Sequence, residues 1–146
     1  MTFYLSDTGT PRFTIDPQNY EKYRALGSFV TGELGKMHGG ALDALAMIDD
    51  AREGREVEPW GSESYSVVID ETGLWFENEY SAIERGRYSL DEFAEVMEAY
   101  WRFLAALPET PGAERQYWPE LPWPEAEVLL WEKVWKRGHP YRGRLF

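Results

Sequence analysis

Residues 64–79 constrain the fold of this chain more than any other segment, because apolar and polar residues alternate on both sides of a short turn. The turn spans residues 70–73 and ends on Gly73, a residue that accepts the positive φ common in such turns. Pairing Ile69 with Leu74 predicts an antiparallel hairpin whose apolar face comprises Tyr65, Val67, Ile69, Leu74, Phe76 and Asn78. The opposite face then carries Ser66, Val68, Trp75, Glu77 and Glu79.

A capped amphipathic helix follows this hairpin. Ser89 and Glu92 have the identity and spacing of a capping box, so the helix is predicted to begin after Ser89. It runs to about Leu107, where Pro108 stops it. The apolar positions recur at helical spacing and form one broad face, made of Phe93, Val96, Met97, Tyr100, Trp101, Phe103 and Leu104.

The N-terminal residues predict a second hairpin. Residues 3–5 and 12–15 alternate in character around a stretch rich in turn-forming residues. Residues 18–34 then place apolar side chains at helical spacing, but Gly27 and Gly32 leave a helix there undecided.

A further helix is predicted over residues 41–52, after a break at residues 36–40, and Gly54 ends it. Because the strands come in hairpins and helices follow them, the chain is predicted to adopt an α+β fold. We expect a mostly antiparallel sheet of two hairpins with helices packed on one face.

The composition changes beyond Pro108. Five prolines between Pro108 and Pro124 predict an extended strap, and a terminal helix follows that ends at Gly138. We therefore divide the chain into an α+β domain, residues 1–107, and a C-terminal extension, residues 108–146, packed on the same domain. The extension holds four of the seven tryptophans, which either anchor it to the core or form an aromatic surface for a partner: Trp118, Trp123, Trp131 and Trp135.

Charge is distributed unevenly along the chain. Residues 43–98 carry sixteen acidic side chains and four arginines, a net charge of −12, whereas residues 133–146 carry five basic side chains and no acid. An acidic surface repels nucleic acid and anionic membranes and attracts basic proteins. The chain begins without a basic and apolar leader, has no apolar run long enough for a spanning helix, and lacks cysteine, so we expect a cytoplasmic protein.

No segment predicts a catalytic residue, a metal site or a cofactor. Residues 27–32 have the glycine spacing of a P-loop, but Glu33 stands where phosphate binding requires lysine. His38 and His139 lack the spacing of metal ligands and are interpreted as ordinary surface residues. Residues 61–64 do not form a nucleophile elbow. An enzyme without a recognisable motif remains an alternative.

The polar face of the central hairpin is the predicted partner-binding site. Trp75 stands there as an aromatic anchor among carboxylates, and Trp60 lies just upstream with two glutamates of its own. In the alternative interpretation a helix covers this face and Trp75 belongs to the core. The candidate binding residues are Glu56, Glu58, Trp60, Asp70, Glu71, Trp75, Glu77 and Glu79.

The acidic hairpin at residues 64–76 and the helix at residues 88–104 together resemble, in layout, the bacterial immunity proteins of polymorphic and contact-dependent toxin systems. The resemblance implies a cytosolic, non-enzymatic inhibitor that binds a basic, nuclease-type toxin through acidic residues. A second interpretation is a small acidic secretion chaperone that holds an effector on apolar grooves of a dimer. The oligomeric state is left open.

Overall fold

A computed structural model describes all 146 residues, and the predicted α+β class is confirmed. The strands and helices, in chain order, are β1 (Thr2–Leu5), β2 (Pro11–Thr14), α1 (Tyr20–Leu34), α2 (His38–Arg52), β3 (Tyr65–Asp70), β4 (Gly73–Asn78), β5 (Arg85–Tyr88), α3 (Leu90–Ala106) and α4 (Trp123–Trp135). None of the helices combines the length and the apolar character needed to cross a bilayer.

The strands form two antiparallel sheets, β1–β2 and β3–β4–β5. The register predicted for the central hairpin is confirmed, since Ile69 pairs with Leu74 and Val67 with Phe76. The single sheet of two hairpins is corrected in two respects: the hairpins lie in separate sheets, and β5 adds a third strand to the second one. β5 was missed because its sequence, Arg-Gly-Arg-Tyr, lacks the branched aliphatic residues that mark a strand.

Helix α1 spans the residues that the sequence left undecided. Gly27 is buried there, and a Cβ atom built on it would lie 2.6 Å from the ring of Phe13. Glycine at this position therefore lets the N-terminal hairpin pack directly on the helix backbone. At Gly32 a Cβ atom would meet nothing within 4 Å, so the two glycines of α1 have different surroundings.

Helix α2 begins at His38, so the predicted break is shorter than residues 36–40 and lies before that histidine. The interpretation of His38 and His139 as surface residues is wrong, because both are buried. Nε2 of His38 lies 3.2 Å from the carbonyl oxygen of Leu104, and its ring packs edge-on against Trp101. A buried imidazole is held in this way by hydrogen bonding to backbone carbonyls that lie far away in the sequence.

The core lies between the helices and the inner face of the three-stranded sheet. Phe29 of α1 stacks on Phe76 of β4 with ring centroids 4.4 Å apart. The predicted capping box at Ser89 and Glu92 is present and orients α3 across this core. Only the inner face of the sheet is used, which leaves the outer face to the solvent.

Residues 108–122 contain no helix or strand, and α4 packs against α2 beyond them. Trp131 is buried, and its indole N–H donates a hydrogen bond of 2.8 Å to Asp43 of α2. Helix α4 ends at Trp135 rather than at Gly138, because Lys136 adopts the left-handed conformation with φ of 56°. The chain then turns back, and His139 and Tyr141 enter the core.

Candidate protein-binding surface

The outer face of the three-stranded sheet carries two cross-strand rows. One row is Val68, Trp75 and Arg87, and the other is Ser66, Glu77 and Arg85. Ser66, Val68 and Glu77 are exposed and Trp75 is half-buried, so no helix covers this face. The outer face therefore presents an aromatic ring and an aliphatic side chain between charged neighbours.

The sequence prediction missed both arginines of this face. Arg85 and Arg87 alternate with Gly86 and Tyr88, and this period of two was the available signal for a strand. Arg87 contributes to a depression of about 190 Å³ whose walls include Val68 and Trp75. The face is thus mixed in charge rather than uniformly acidic.

Asp70 and Glu71, at the turn of the hairpin, differ in their roles. Asp70 accepts hydrogen bonds from the Thr72 backbone N–H at 2.8 Å and from its hydroxyl at 2.5 Å. These bonds, together with the charge of Arg87, lower the pKa of Asp70. Asp70 consequently holds the turn, whereas Glu71 is exposed and makes no ion pair.

Residues 53–64 join α2 to β3 without regular structure and carry Glu56, Glu58 and Trp60. The indole N–H of Trp60 donates a 3.0 Å hydrogen bond to Glu33, and its ring lies 5.1 Å from that of Phe29. Trp60 therefore fastens this segment to the core rather than standing free for a partner. Glu56 and Glu58 are exposed.

The segment around Trp60 and the sheet form one continuous surface. Val57–Trp60 and the middle of β3 together line a second depression of about 190 Å³, which shares Val68 with the depression at Trp75. Glu58 also borders a small depression beside Trp131 and Trp135. We call this surface, from Arg87 through Trp75, Val68 and Glu58 to Trp135, the aromatic strip.

The carboxylates around the aromatic strip are free. All five of its exposed glutamates lack an ion pair: Glu56, Glu58, Glu71, Glu77 and Glu79. Some acids elsewhere in the molecule do form ion pairs, as Glu84 does with Arg24 at 3.0 Å. Of the predicted site residues, the structure therefore leaves the five glutamates and Trp75 available to a partner, and it assigns internal contacts to Trp60 and Asp70.

Two of the five basic C-terminal residues, Arg137 and Arg142, form ion pairs within the chain. Arg137 donates two hydrogen bonds, at 3.1 and 3.0 Å, to the carboxylate of Asp50, which Arg55 also contacts at 3.0 Å. Burial alone raises the pKa of Asp50, but the two guanidinium groups outweigh it and lower that pKa. Arg142 is paired in the same way with Glu132 at 2.5 Å. These contacts hold the tail against α2 and α4.

No group of three or more histidine, aspartate or glutamate side chains is arranged to hold a metal ion. Burial lowers the pKa of both histidines, and each is hydrogen-bonded to a backbone carbonyl. Comparisons with protein-family models, curated proteins and solved structures find no significant match to this chain.

Proposed function

We propose that this chain is a non-enzymatic inhibitor of the immunity type, which binds a basic, nuclease-type toxin in the cytoplasm and occludes its active site. The observation that carries the proposal is the set of five exposed, unpaired glutamates around the aromatic strip. Carboxylates that have no partner within the chain can be desolvated against a cationic surface without first breaking an internal ion pair.

The mechanism follows from the chemistry of nuclease sites. Such a site uses lysine and arginine to bind phosphates, and glutamates arranged on a rigid sheet offer negative charge in place of those phosphates. The charge of the region steers the basic toxin toward the strip and raises the association rate. Trp75 and Val68 then supply apolar surface that becomes buried from water when the toxin binds.

The ion pairs of the C-terminal tail also favour a basic protein over nucleic acid as the partner. Two of the five basic residues of the tail, Arg137 and Arg142, are paired with Asp50 and Glu132, which reduces the positive charge that the tail presents to nucleic acid. The net charge of the whole chain is −11, which attracts a basic partner at long range.

A second candidate function is the small secretion chaperone, and one feature favours it. A groove of about 390 Å³ between α3, α4 and the C-terminal residues is lined mainly by apolar side chains, among them Trp101, Leu121, Pro124, Val128, Leu129, Leu145 and Phe146. A chaperone would hold an extended effector segment in such a groove. Substitution of Leu129 and Leu145 by aspartate would then abolish binding, whereas an inhibitor acting through the strip would retain it.

The test is co-production of this chain with the protein encoded by the adjacent gene, followed by measurement of nuclease activity and complex formation. We expect a stoichiometric complex that suppresses the activity and weakens with salt. Glu77→Lys/Glu79→Lys should lose protection, and Glu114→Lys/Glu120→Lys, two exposed acids outside the strip, should keep it. Equal protection by the two variants would exclude the strip as the inhibitory surface.

A further inference from the structure

The two most exposed large apolar side chains of the protein lie in one loop. Tyr80 is 80% exposed and Ile83 is 67% exposed, and both belong to residues 79–84, which connect β4 to β5. We call these residues the β4–β5 loop. Neither side chain contributes to the core, so the loop presents two large apolar side chains to the solvent.

The β4–β5 loop is held in one conformation by its own hydrogen bonds. The Asn78 N–H donates to the Glu84 carbonyl at 2.9 Å, and the side-chain oxygen of Asn78 accepts the Tyr80 N–H at 2.8 Å. The Glu84 N–H donates to the Ser81 carbonyl at 3.2 Å. This bond closes a turn over residues 81–84, in which Ile83 is the third residue. A segment ordered in advance loses little conformational entropy when it binds.

Helix α1 fastens the loop from outside. Arg24 donates one hydrogen bond of 2.9 Å to the Ile83 carbonyl and a second of 3.0 Å to a carboxylate oxygen of Glu84. The other carboxylate oxygen of Glu84 is buried without a partner. A partly buried ion pair therefore fixes the position of a loop whose largest side chains point into solvent. Such a loop can offer these side chains to a partner in a defined position.

The charges beside the loop identify what it can enter. Glu77 lies on β4 and Glu79 is the first residue of the loop, and both are exposed and without an ion pair. Arg85 stands opposite Glu77 on β5, so the two glutamates leave the charge beside the loop negative by one. Such carboxylates are repelled by an anionic membrane and by the same carboxylates of a second copy of this chain. They are attracted by a protein cleft that has lysine or arginine at its rim.

We propose that the β4–β5 loop is the inserting element of the complex: Tyr80 and Ile83 enter an apolar cleft of the basic partner, and Glu77 and Glu79 contact cationic groups at the rim of that cleft. This inference rests on the proposed function and specifies which part of the surface is buried deepest. Aromatic anchors that fill a pocket, surrounded by polar contacts that exclude water, carry most of the binding energy in protein interfaces.

Site-specific photocrosslinking tests the inference. The probe is the full chain with Tyr80→p-benzoylphenylalanine or Ile83→p-benzoylphenylalanine, irradiated in the cells that make it. Two further variants carry the same group at Val68, on the aromatic strip, and at Tyr117, an exposed tyrosine outside it. Because all four side chains are exposed, the variants are expected to fold.

We expect the probes at Tyr80, Ile83 and Val68 to capture the same basic protein, with the crosslinked peptides of the two loop probes in an apolar cleft flanked by lysine or arginine. The Tyr117 probe should not capture it. Capture from Val68 alone would overturn the inserting loop and leave the proposed function intact. Capture from neither surface would overturn both, and crosslinks to lipid, to a second copy of this chain or equally from Tyr117 would also overturn the loop proposal.

Affinity measurement with the captured protein provides the second test. Tyr80→Ala and Ile83→Ala should each weaken binding by about 30-fold or more, the loss typical of a hot-spot residue. Tyr80→Phe should retain most of the affinity if the ring fills an apolar pocket, and Tyr117→Ala should leave it unchanged. A loss below about threefold for both loop variants would contradict the proposal.

Discussion

Nε2 of His139 lies 2.9 Å from the carbonyl oxygen of Leu42, and this bond joins residues 97 positions apart. Nδ1 of the same ring accepts the Tyr141 N–H at 3.1 Å. Only the neutral imidazole with its proton on Nε2 satisfies both bonds, because a proton on Nδ1 would oppose the Tyr141 N–H. The tail of the chain is therefore held to α2 by a histidine that must stay uncharged.

Stability should decrease as the pH falls below about 6.5, the ordinary pKa of histidine. Burial lowers the pKa of His38 and His139 in the folded protein and outweighs the opposing charges of Glu127 near the first and of Glu132 and Asp49 near the second. The charge of Arg137 also lowers the pKa of His139. The unfolded chain then binds more protons than the folded chain, so each histidine contributes a slope of up to about 1.4 kcal/mol per pH unit. That contribution is complete above pH 6.5 and is lost as the pH falls toward the folded pKa.

Urea unfolding at pH 7.5, 6.5 and 5.5 measures this dependence. His38→Gln/His139→Gln is the control, because glutamine donates to a carbonyl but does not titrate. Its free energy of unfolding should vary less over this interval than that of the wild-type protein. The measurements stop at pH 5.5 because burial raises the pKa of Asp43. A raised carboxyl pKa increases the free energy of unfolding as the pH falls, which opposes the effect of the histidines. A wild-type stability that is flat from pH 7.5 to 5.5 would contradict the expectation.

Trp131 and Trp135 should differ sharply in their contribution to stability. They are four residues apart on α4, but Trp131 is 5% exposed and Trp135 is 42% exposed. Trp131→Ala removes a buried ring and the hydrogen bond to Asp43, at a cost of about 3–5 kcal/mol. Trp135→Ala should cost about 0.5–1.5 kcal/mol, the value of the aromatic pair between the two rings. Similar losses in thermal and denaturant unfolding would contradict this assignment.

Removal of residues 108–146 should prevent cooperative folding. The deletion exposes the side of α2 that Val128, Trp131 and Tyr141 cover, and these three side chains are buried in the intact chain. The expected loss is comparable to the whole stability of a domain, about 5–15 kcal/mol. Circular dichroism in the near ultraviolet and calorimetry should show a molten or insoluble product. A truncated chain with a sharp transition near the wild-type melting temperature would show that residues 1–107 fold alone.

The two glycines inside α1 should respond oppositely to alanine. Gly27→Ala places a Cβ atom 2.6 Å from the ring of Phe13, so the N-terminal hairpin must move, at a cost of about 1–3 kcal/mol. Gly32→Ala meets no neighbour within 4 Å and should stabilise the helix by about 0.5–1 kcal/mol. Denaturant midpoints of the two variants, with unchanged slopes, measure the difference. Stabilisation by both substitutions would contradict the close packing of Phe13 on Gly27 of α1.

Reversal of the charges at Glu77 and Glu79 should slow association with the basic partner. Exposed rim charges act mainly on the association rate constant, so Glu77→Lys/Glu79→Lys should lower it at low salt and reduce its dependence on salt. Stopped-flow mixing at low and high salt measures both quantities. Glu114→Lys/Glu120→Lys, which makes the same change in net charge far from the strip in sequence, is the matched control. An unchanged association rate constant at low salt would show that the outer face of the sheet is not part of the interface.

Part of the candidate site could be predicted and part could not. Alternation in residues 64–79 was sufficient to place Trp75, Glu77 and Val68 on the polar face of the hairpin, since side chains of a strand alternate between its faces. The exposure of Tyr80 and Ile83 was not predictable, because the local sequence of a loop does not record which distant residues will hold it in place. Their display depends on Arg24, a residue of α1 that contacts the loop only in the folded chain.

Features that depend only on neighbouring residues could be predicted from the amino-acid sequence. The register of the central hairpin follows from its turn and its period of two, and the start of α3 follows from a capping box of four residues, Ser89 to Glu92. These features are decided by interactions within a few residues, so they can be predicted without knowledge of the tertiary structure.

The tertiary structure alone decided what depends on contacts between distant residues. It buried His38 and His139 against carbonyls 66 and 97 positions away, packed Phe13 on Gly27 of α1, and paired a strand with little intrinsic β propensity to the edge of β4. It also joined Glu58 to Trp135 in one surface. The physical reason is that burial and long-range hydrogen bonding outweigh local propensities of about 1 kcal/mol or less per residue, and no local pattern records which distant atoms will meet.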